Sequence, residues 1–194
     1  MTPPEARAAG ADGSIALDEA DDRVLVDAFV GGRREAFDEI VRRHRRHVYL
    51  LCFRFVSNHE DASDLAQDVF VRAFKGLGRF KHESSLGTWL YRITVNTCLN
   101  RAAVRRPETE PVDAKEYVDA RAVSPIDAAV RLESRAAVRH AIRKLPPRQR
   151  ATLILRIYQE LSHEEIARIL GGTVGAAKTN FFHALGNLRR LLSA

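Results

Sequence analysis

The chain has 194 residues, 45% of them hydrophobic, with only 11 glycines and 7 prolines, a composition that excludes disordered, low-complexity and collagen-like classes. No run approaches the ~20 apolar residues of a membrane helix, and the N-terminus lacks the charged-then-apolar order of a signal peptide, so the chain is expected to stay where it is made, with no direct membrane insertion. The net charge of +6 is unevenly spread: residues 1–22 carry −5, 23–106 carry +7, 107–127 carry −4 and 128–194 carry +8. Two basic blocks separated by an acidic strip fit two polyanion-binding units joined by a linker that avoids the polyanion.

The acidic residues 1–22 are expected to form a tail that is either disordered or laid over a basic face. After them nearly everything reads as helix. Phe37, Ile40, Val41, His44, Val48, Leu51, Cys52 and Phe55 recur at helical spacing, an amphipathic stripe about five turns long. Ser57-Asn58 breaks it, and a second helix is predicted from about Asp61 to Leu77, closed by Gly76 and Gly78. A polar loop follows, and a third helix is predicted from Ser85 or Leu86 to Arg105. Pro107, Pro111 and Pro125 among acids and small residues make 107–125 a flexible linker. Helices resume at Ile126–Lys144, and Pro146-Pro147 opens another that runs to Gln159. Ser162-His163-Glu164-Glu165 is a capping box for a short helix that stops at Gly171-Gly172. Thr173 then caps a last helix, Val174 to Leu192. Strand signals are nearly absent, so the fold class is all-α: two small helical domains, 23–106 and 126–194, joined by the linker.

The stretch from Phe80 to Asn96 combines a polar loop with a helix bearing the only tryptophan, arginine and asparagine. Aromatic faces, amide edges and fixed positive charge suit unstacked bases and their backbone. Short capped helix, glycine turn and longer helix are the layout of a DNA-binding helix-turn-helix. In its last helix 174, 177, 181, 184, 185, 188 and 191 form an inward stripe, while Lys178, Thr179, Phe182, His183 and Arg189 face out. An outward Phe182 beside Lys178 suits a thymine methyl or sugar with phosphate nearby. Cys52 and Cys98 sit at apolar helical positions without CxxC spacing and are expected to be buried structural thiols. His44 and His47 lie among four arginines and read as a cationic face. No metal or cofactor is expected. Two other classes compete on these residues. One is an ordinary helix-turn-helix regulator, which leaves the Phe80–Asn100 motif without a purpose. The other is a metal-dependent nuclease using Asp61, Asp64 and Asp68, which share a helix face but lack a supporting His or further acids.

Four segments in order resemble the extracytoplasmic-function group of the bacterial sigma-70 family. They are 64–74 (DLAQDVFVRAF), 78–100, Leu145-Pro146-Pro147-Arg148-Gln149-Arg150 and Leu161-Ser162-His163-Glu164-Glu165-Ile166-Ala167. The resemblance implies a sigma factor without catalytic activity, built of a sigma-2-like and a sigma-4-like domain. Its partners would be core RNA polymerase (the β′ clamp coiled coil and the β flap), promoter DNA and an anti-sigma factor. It would be cytoplasmic, or held at the membrane through that anti-sigma factor. On matching positions, Asp61, Asp64, Leu65, Gln67, Asp68, Phe70 and Phe74 would bind the polymerase. Phe80 and Asn96 would form a pocket for a flipped minus-ten base, with Lys81 and Ser84 at its rim. Arg92, Asn100, Arg101, Arg105 and Arg106 would hold phosphates, and Trp89 would either anchor the loop or touch DNA. Lys178, Thr179, Asn180, Phe182 and His183 would read the minus-thirty-five element. The chain departs from the family at His82, where glycine is frequent, at Asn180 and His183, where arginine is common, and at Gly186. These departures bear on which promoter is preferred.

Overall fold

The structure, a computed structural model, describes residues 16–104 and 125–193, with side chains for 16–101 and 135–193. All regular structure among the described residues is helical, as the period of the apolar residues requires. The predicted linker and Arg105 lie outside the described residues for almost their whole length; only Pro125, which opens a helix, falls inside.

Helix α1 (Asp22–Val30) is not singled out by the sequence pattern, because nine residues carry too few periods to stand out. Locally it is well specified. The Asp21 carboxylate accepts from the Val24 N–H at 2.8 Å, and the Gly31 N–H closes the far end on the Asp27 carbonyl at 2.9 Å. Leu25 and Val26 are buried under it. The turn before α1 is held too: the Arg43 guanidinium donates to the carbonyls of Ala20 at 2.6 Å and of Leu17 and Asp18 at 3.0 Å. The acidic tail expected to run to residue 22 therefore meets an ordered segment at residues 16–21, because one arginine satisfies three carbonyls that water would otherwise serve.

Helix α2 (Glu35–Val56) buries the expected stripe and ends where Ser57 takes a left-handed backbone at φ 54°. Asn58 then caps α3 (His59–Gly76), accepting from the Asp61 N–H at 3.0 Å. A 3-10 turn over Leu77–Arg79 leads to the loop and to α4 (Leu86–Val104). Phe29 of α1, Phe37 of α2 and Phe74 of α3 meet edge-on or tilted, with ring centroids 5.1–5.6 Å apart, so one aromatic cluster joins the three helices.

The second group comprises α5 (Pro125–Lys144), α6 (Pro147–Tyr158), α7 (His163–Leu170) and α8 (Val174–Leu192). The two groups touch. Helix α7 packs on α4 and α6 on α2. At this seam the Arg54 guanidinium lies 3.7 Å over the Tyr158 ring, and Arg150 reaches to 5.8 Å from the Phe55 ring. Cys52 and Cys98 are buried and unpaired as disulfides, in agreement with the sequence. Their thiols hydrogen-bond, and that contact together with burial pushes the Cys98 thiol far above its ordinary range, leaving it protonated and inert.

Glu39 is buried beneath the surface of α2 and accepts from Arg42 and Arg43, each at 2.6 Å at closest approach. Those bonds, Arg42 first, lower its carboxyl from 4.5 to about 2. A carboxyl lowered in the folded state adds stability that is complete above pH 4.5 and is lost as pH falls toward about 2. Glu39→Gln is therefore expected to make thermal stability fall less steeply across that window than in the unmodified protein. Melting curves followed by circular dichroism would show it, and an unchanged slope would refute the assignment.

Candidate nucleic-acid interface

The loop between α3 and α4 is built on aromatic contacts. Phe80 closes the 3-10 turn with its N–H on the Leu77 carbonyl at 3.0 Å. Its half-buried ring packs on Trp89 with centroids 5.3 Å apart and on His82 at 4.9 Å. Trp89 in turn lies over Gly76, where an added Cβ would come within 3.4 Å of the indole. The anchoring role thus has a physical basis: one side of the indole is taken up by α3 and the loop. His82 adopts φ 56°, a left-handed backbone rare outside glycine, and its Nε2 sits 3.2 Å from Asp27 Oδ1. Ser85 caps α4, its Oγ accepting from the Thr88 N–H at 3.1 Å. Lys81 is exposed and Ser84 half-buried beside it.

Helix α4 is enclosed on most sides. Leu86, Leu90, Val95 and Cys98 are buried, and so are Thr94 and Thr97, whose hydroxyls donate to carbonyls one turn back at 2.8 and 2.9 Å. From Trp89 to Arg101 its exposed residues are Arg92, Asn96 and Asn100, spaced four apart and hence on one line. The structure brings these three sequence-selected residues together with the Phe80 loop at the head of the same helix. Arg101 is different: its guanidinium lies 3.6 Å from Asp61 at the start of α3, so two residues expected to serve different partners pair with each other.

On α3, Asp64, Gln67 and Asp68 are exposed on one ridge, with Val71 continuing it. Phe70 is half-buried, and Phe74 is 42% exposed although its ring also completes the aromatic cluster. Leu65 is 1% exposed, which corrects its expected place on the contact surface. It supports the ridge from beneath, because helical spacing turns it toward α2. Among the described residues no three His, Cys, Asp or Glu side chains gather as a metal-holding group.

The helix-turn-helix forms as its caps dictate. Ser162 and Glu165 complete the capping box, at 3.2 Å from the Glu165 N–H to Ser162 Oγ and 2.8 Å in return. The bond from the Ser162 backbone N–H, followed by that of its hydroxyl, lowers the Glu165 carboxyl. Gly171 turns the chain at φ 63°, a left-handed C-cap, and Thr173 caps α8 by accepting from the Ala176 N–H at 3.1 Å. Lys178, Thr179, Phe182 and His183 are exposed on α8, and Asn180 is half-buried. Phe182 is 74% exposed, a large apolar ring left in water. The inward stripe is narrower than expected. Ala177 and Ala184 are buried, but Leu185 is 44% and Leu191 37% exposed. Leu185 lies about 100° round the helix from Ala184, and Leu191 falls in the last turn.

Residues 40–107 match the family described as Sigma-70 region 2, and residues 135–188 match Sigma-70, region 4. The chain is 36% identical to the RNA polymerase sigma-H factor of Pseudomonas aeruginosa over 177 residues, 87% of this chain and 92% of the relative. It is also 36% identical to the ECF RNA polymerase sigma factor SigM of Mycobacterium tuberculosis, over 90% of this chain and 86% of the relative. The chain belongs to the extracytoplasmic-function group of the sigma-70 family. It is thus a DNA-binding transcription initiation factor. Its structure is similar to that of CnrH solved in complex with the cytosolic domain of CnrY, with a TM-score of 0.66 and 27% identity over 89% of this chain and 97% of that one.

In this sigma factor region 2 takes in most of α2 with α3 and α4, and region 4 takes in the end of α5 with α6, α7 and most of α8. Helix α1 lies ahead of both. The pairing of His82 with Asp27 across that boundary is a feature sequence reasoning missed, since no local pattern links residues 55 positions apart.

The capping box sets where α7 begins and so how α8 is presented. Ser162→Ala is expected to lower stability by about 1 kcal/mol, measured by urea unfolding, while Ser162→Thr retains most of it. An Ala variant as stable as the parent would show that the cap is dispensable.

Proposed function

We propose that this sigma factor has no catalytic activity and acts as the promoter-specificity subunit of RNA polymerase, gripping DNA at two points. Residues 23–106 form the unit that binds core polymerase and the minus-ten element, and 126–194 the unit that reads the minus-thirty-five element. The separate family matches over residues 40–107 and 135–188 support these divisions, with 107–125 as the linker and 1–22 as an acidic tail.

The observation that carries the reading is the exposed line Arg92, Asn96, Asn100 on an otherwise covered helix, headed by an aromatic loop. Phe80 offers a ring edge and Asn96 an amide to a base drawn out of the stack, with Lys81 and Ser84 at the rim. Arg92 and Asn100 lead the strand along α4, and Arg101 joins them when it leaves Asp61. Melting proceeds by capture: unstacking a base costs a few kcal/mol, and hydrogen bonds and stacking in the pocket offset it.

On the opposite side of the reaction, the ridge of Asp64, Gln67 and Asp68 suits a partner helix lined with arginines, the β′ clamp coiled coil, with Asp61, Phe70 and Phe74 at its margins. In α8, Lys178 holds a phosphate, Thr179, Asn180 and His183 present hydrogen-bonding groups to base edges, and Phe182 meets a thymine methyl or sugar. Region 4 also meets the β flap.

An anti-sigma factor controls the protein in this reading, and the support is that CnrH, similar over most of the chain, is solved with a second protein bound. The same reading makes the factor cytoplasmic, with any hold on the membrane supplied by that partner. Among the described residues no helix is long and apolar enough to cross a membrane.

Asn96→Ala is expected to reduce promoter opening by more than about tenfold, the factor that 1.4 kcal/mol represents. Binding to core polymerase stays intact. Permanganate reactivity of melted thymines and co-elution with core enzyme report the two separately. Loss of both together, or of neither, overturns the base-pocket assignment.

A further inference from the structure

We propose that Asp27 and His82 form a brace that positions the promoter-reading loop, which makes α1 a working part of that reader although it lies ahead of region 2. The inference rests on the reading of loop 80–85 given above and adds the residues that hold its shape.

The backbone supplies the first argument. His82 sits at φ 56°, a conformation that a non-glycine residue takes only where its surroundings hold it. Those surroundings are two contacts. Its Nε2 lies 3.2 Å from Asp27 Oδ1, and its ring packs against Phe80 at 4.9 Å. Phe80 passes the contact to Trp89 at 5.3 Å, and Trp89 rests on Gly76. A continuous line of contacts thus runs from α1 through the loop to α3 and α4, with the proposed base-binding ring in the middle.

A brace requires a fixed anchor, and α1 is one. Three carbonyls ahead of it are held by Arg43, Asp22 meets His44 Nε2 at 3.0 Å, and Phe29 is locked between Phe37 and Phe74. Asp27 projects from the middle of this helix. Its side chain is 65% exposed and that of His82 28%, so the pair is worth what exposed pairs are worth, a small factor. Magnitude separates the two roles: the brace tunes loop placement, whereas loss of a pocket residue removes capture.

The test uses the full chain with core polymerase and a promoter found by sequencing the transcripts that the pair initiates. Asp27→Ala is expected to slow promoter opening about two- to fivefold, the range of an exposed polar contact, with core binding and melting temperature unchanged. His82→Gly relaxes the backbone but deletes the ring, and is expected to slow opening at least as much. The double variant is expected to be no slower than His82→Gly alone. His82→Gln, whose longer side chain can place an amide nitrogen where Nε2 lies beside Asp27, is expected to keep a rate closer to that of the unmodified protein than His82→Gly does. In the free protein, the fluorescence of Trp89, the only tryptophan, reports the loop without DNA. Its quenching by acrylamide should rise in Asp27→Ala.

Additive effects of the two substitutions would mean that His82 touches DNA itself and that Asp27 does not act through it, which overturns the brace. Unchanged opening and unchanged quenching in Asp27→Ala overturn it as well. If Asn96→Ala proves harmless, the base-pocket reading fails, and Trp89 quenching in Asp27→Ala alone then decides the brace.

Discussion

Helix α4 must be covered, and the rest of the arrangement follows from that need. Leaving its leucines, valine and cysteine in water would forfeit ~1.5–3 kcal/mol for each large side chain. Helices α2 and α3 cover one side and α7 another. Even the polar Thr94 and Thr97 are admitted only because their hydroxyls bond to the helix's own carbonyls. What remains open is the line of Arg92, Asn96 and Asn100, so the surface proposed to meet DNA is the part of the helix that the core could not use. Placing the readers on a buried helix also fixes them, since a helix held on several sides cannot roll without disturbing its neighbours.

Charge is arranged with the same economy. Glu39 lies between Arg42 and Arg43, and Arg43 spends its remaining donors on carbonyls ahead of α1, so one buried carboxylate orients the cation that holds the N-terminal turn. The Asp61–Arg101 pair works differently. Both side chains are only partly covered, at 26% and 38% exposed. Such a pair contributes at most about 1 kcal/mol, so either member can be given up to a stronger partner. Asp61 and Arg101 can therefore steady each other in the free protein without excluding the separate partners proposed for them.

Much of this was readable in the sequence, and the exceptions share a cause. The long helices α2 and α8 announce themselves through the period of their apolar residues, α3 and α4 through the breakers that bound them, and the helix-turn-helix through its caps, because those signals are local. Helix α1 escapes because nine residues hold barely two periods and follow an acidic stretch. Leu185 departs because periodicity gives the centre of a buried stripe but not its width, which depends on how neighbouring helices are set, whereas Leu65 was placed by the resemblance alone, which does not tell a contact residue from the core residue beneath it. The Asp61–Arg101 and Asp27–His82 pairs join residues far apart in sequence, and only the packing of α1 and α3 against the α3–α4 segment brings them together. The left-handed backbone of His82 left one clue, since glycine, which takes such a backbone freely, is frequent at that place in the resembling family.

The seam between the two helical groups has a chemistry of its own. Beside the apolar contacts between the groups, two arginines lie over aromatic rings, Arg54 on Tyr158 and Arg150 toward Phe55. Each such contact contributes about 0.5–2 kcal/mol, the larger value when water is excluded. Arg150 gives part of that back: burial disfavours its charge, its Nε has no hydrogen-bond partner, and its one bond to the Arg143 carbonyl is long at 3.3 Å. On separation Arg150 would regain water and Arg54 would lose only a ring. The rest of the seam is apolar: α7 packs on α4 and α6 on α2, and the buried residues of both groups form one continuous core. Separating the two groups would therefore expose part of that core, and the arginine–ring contacts form the polar margin of an otherwise apolar seam.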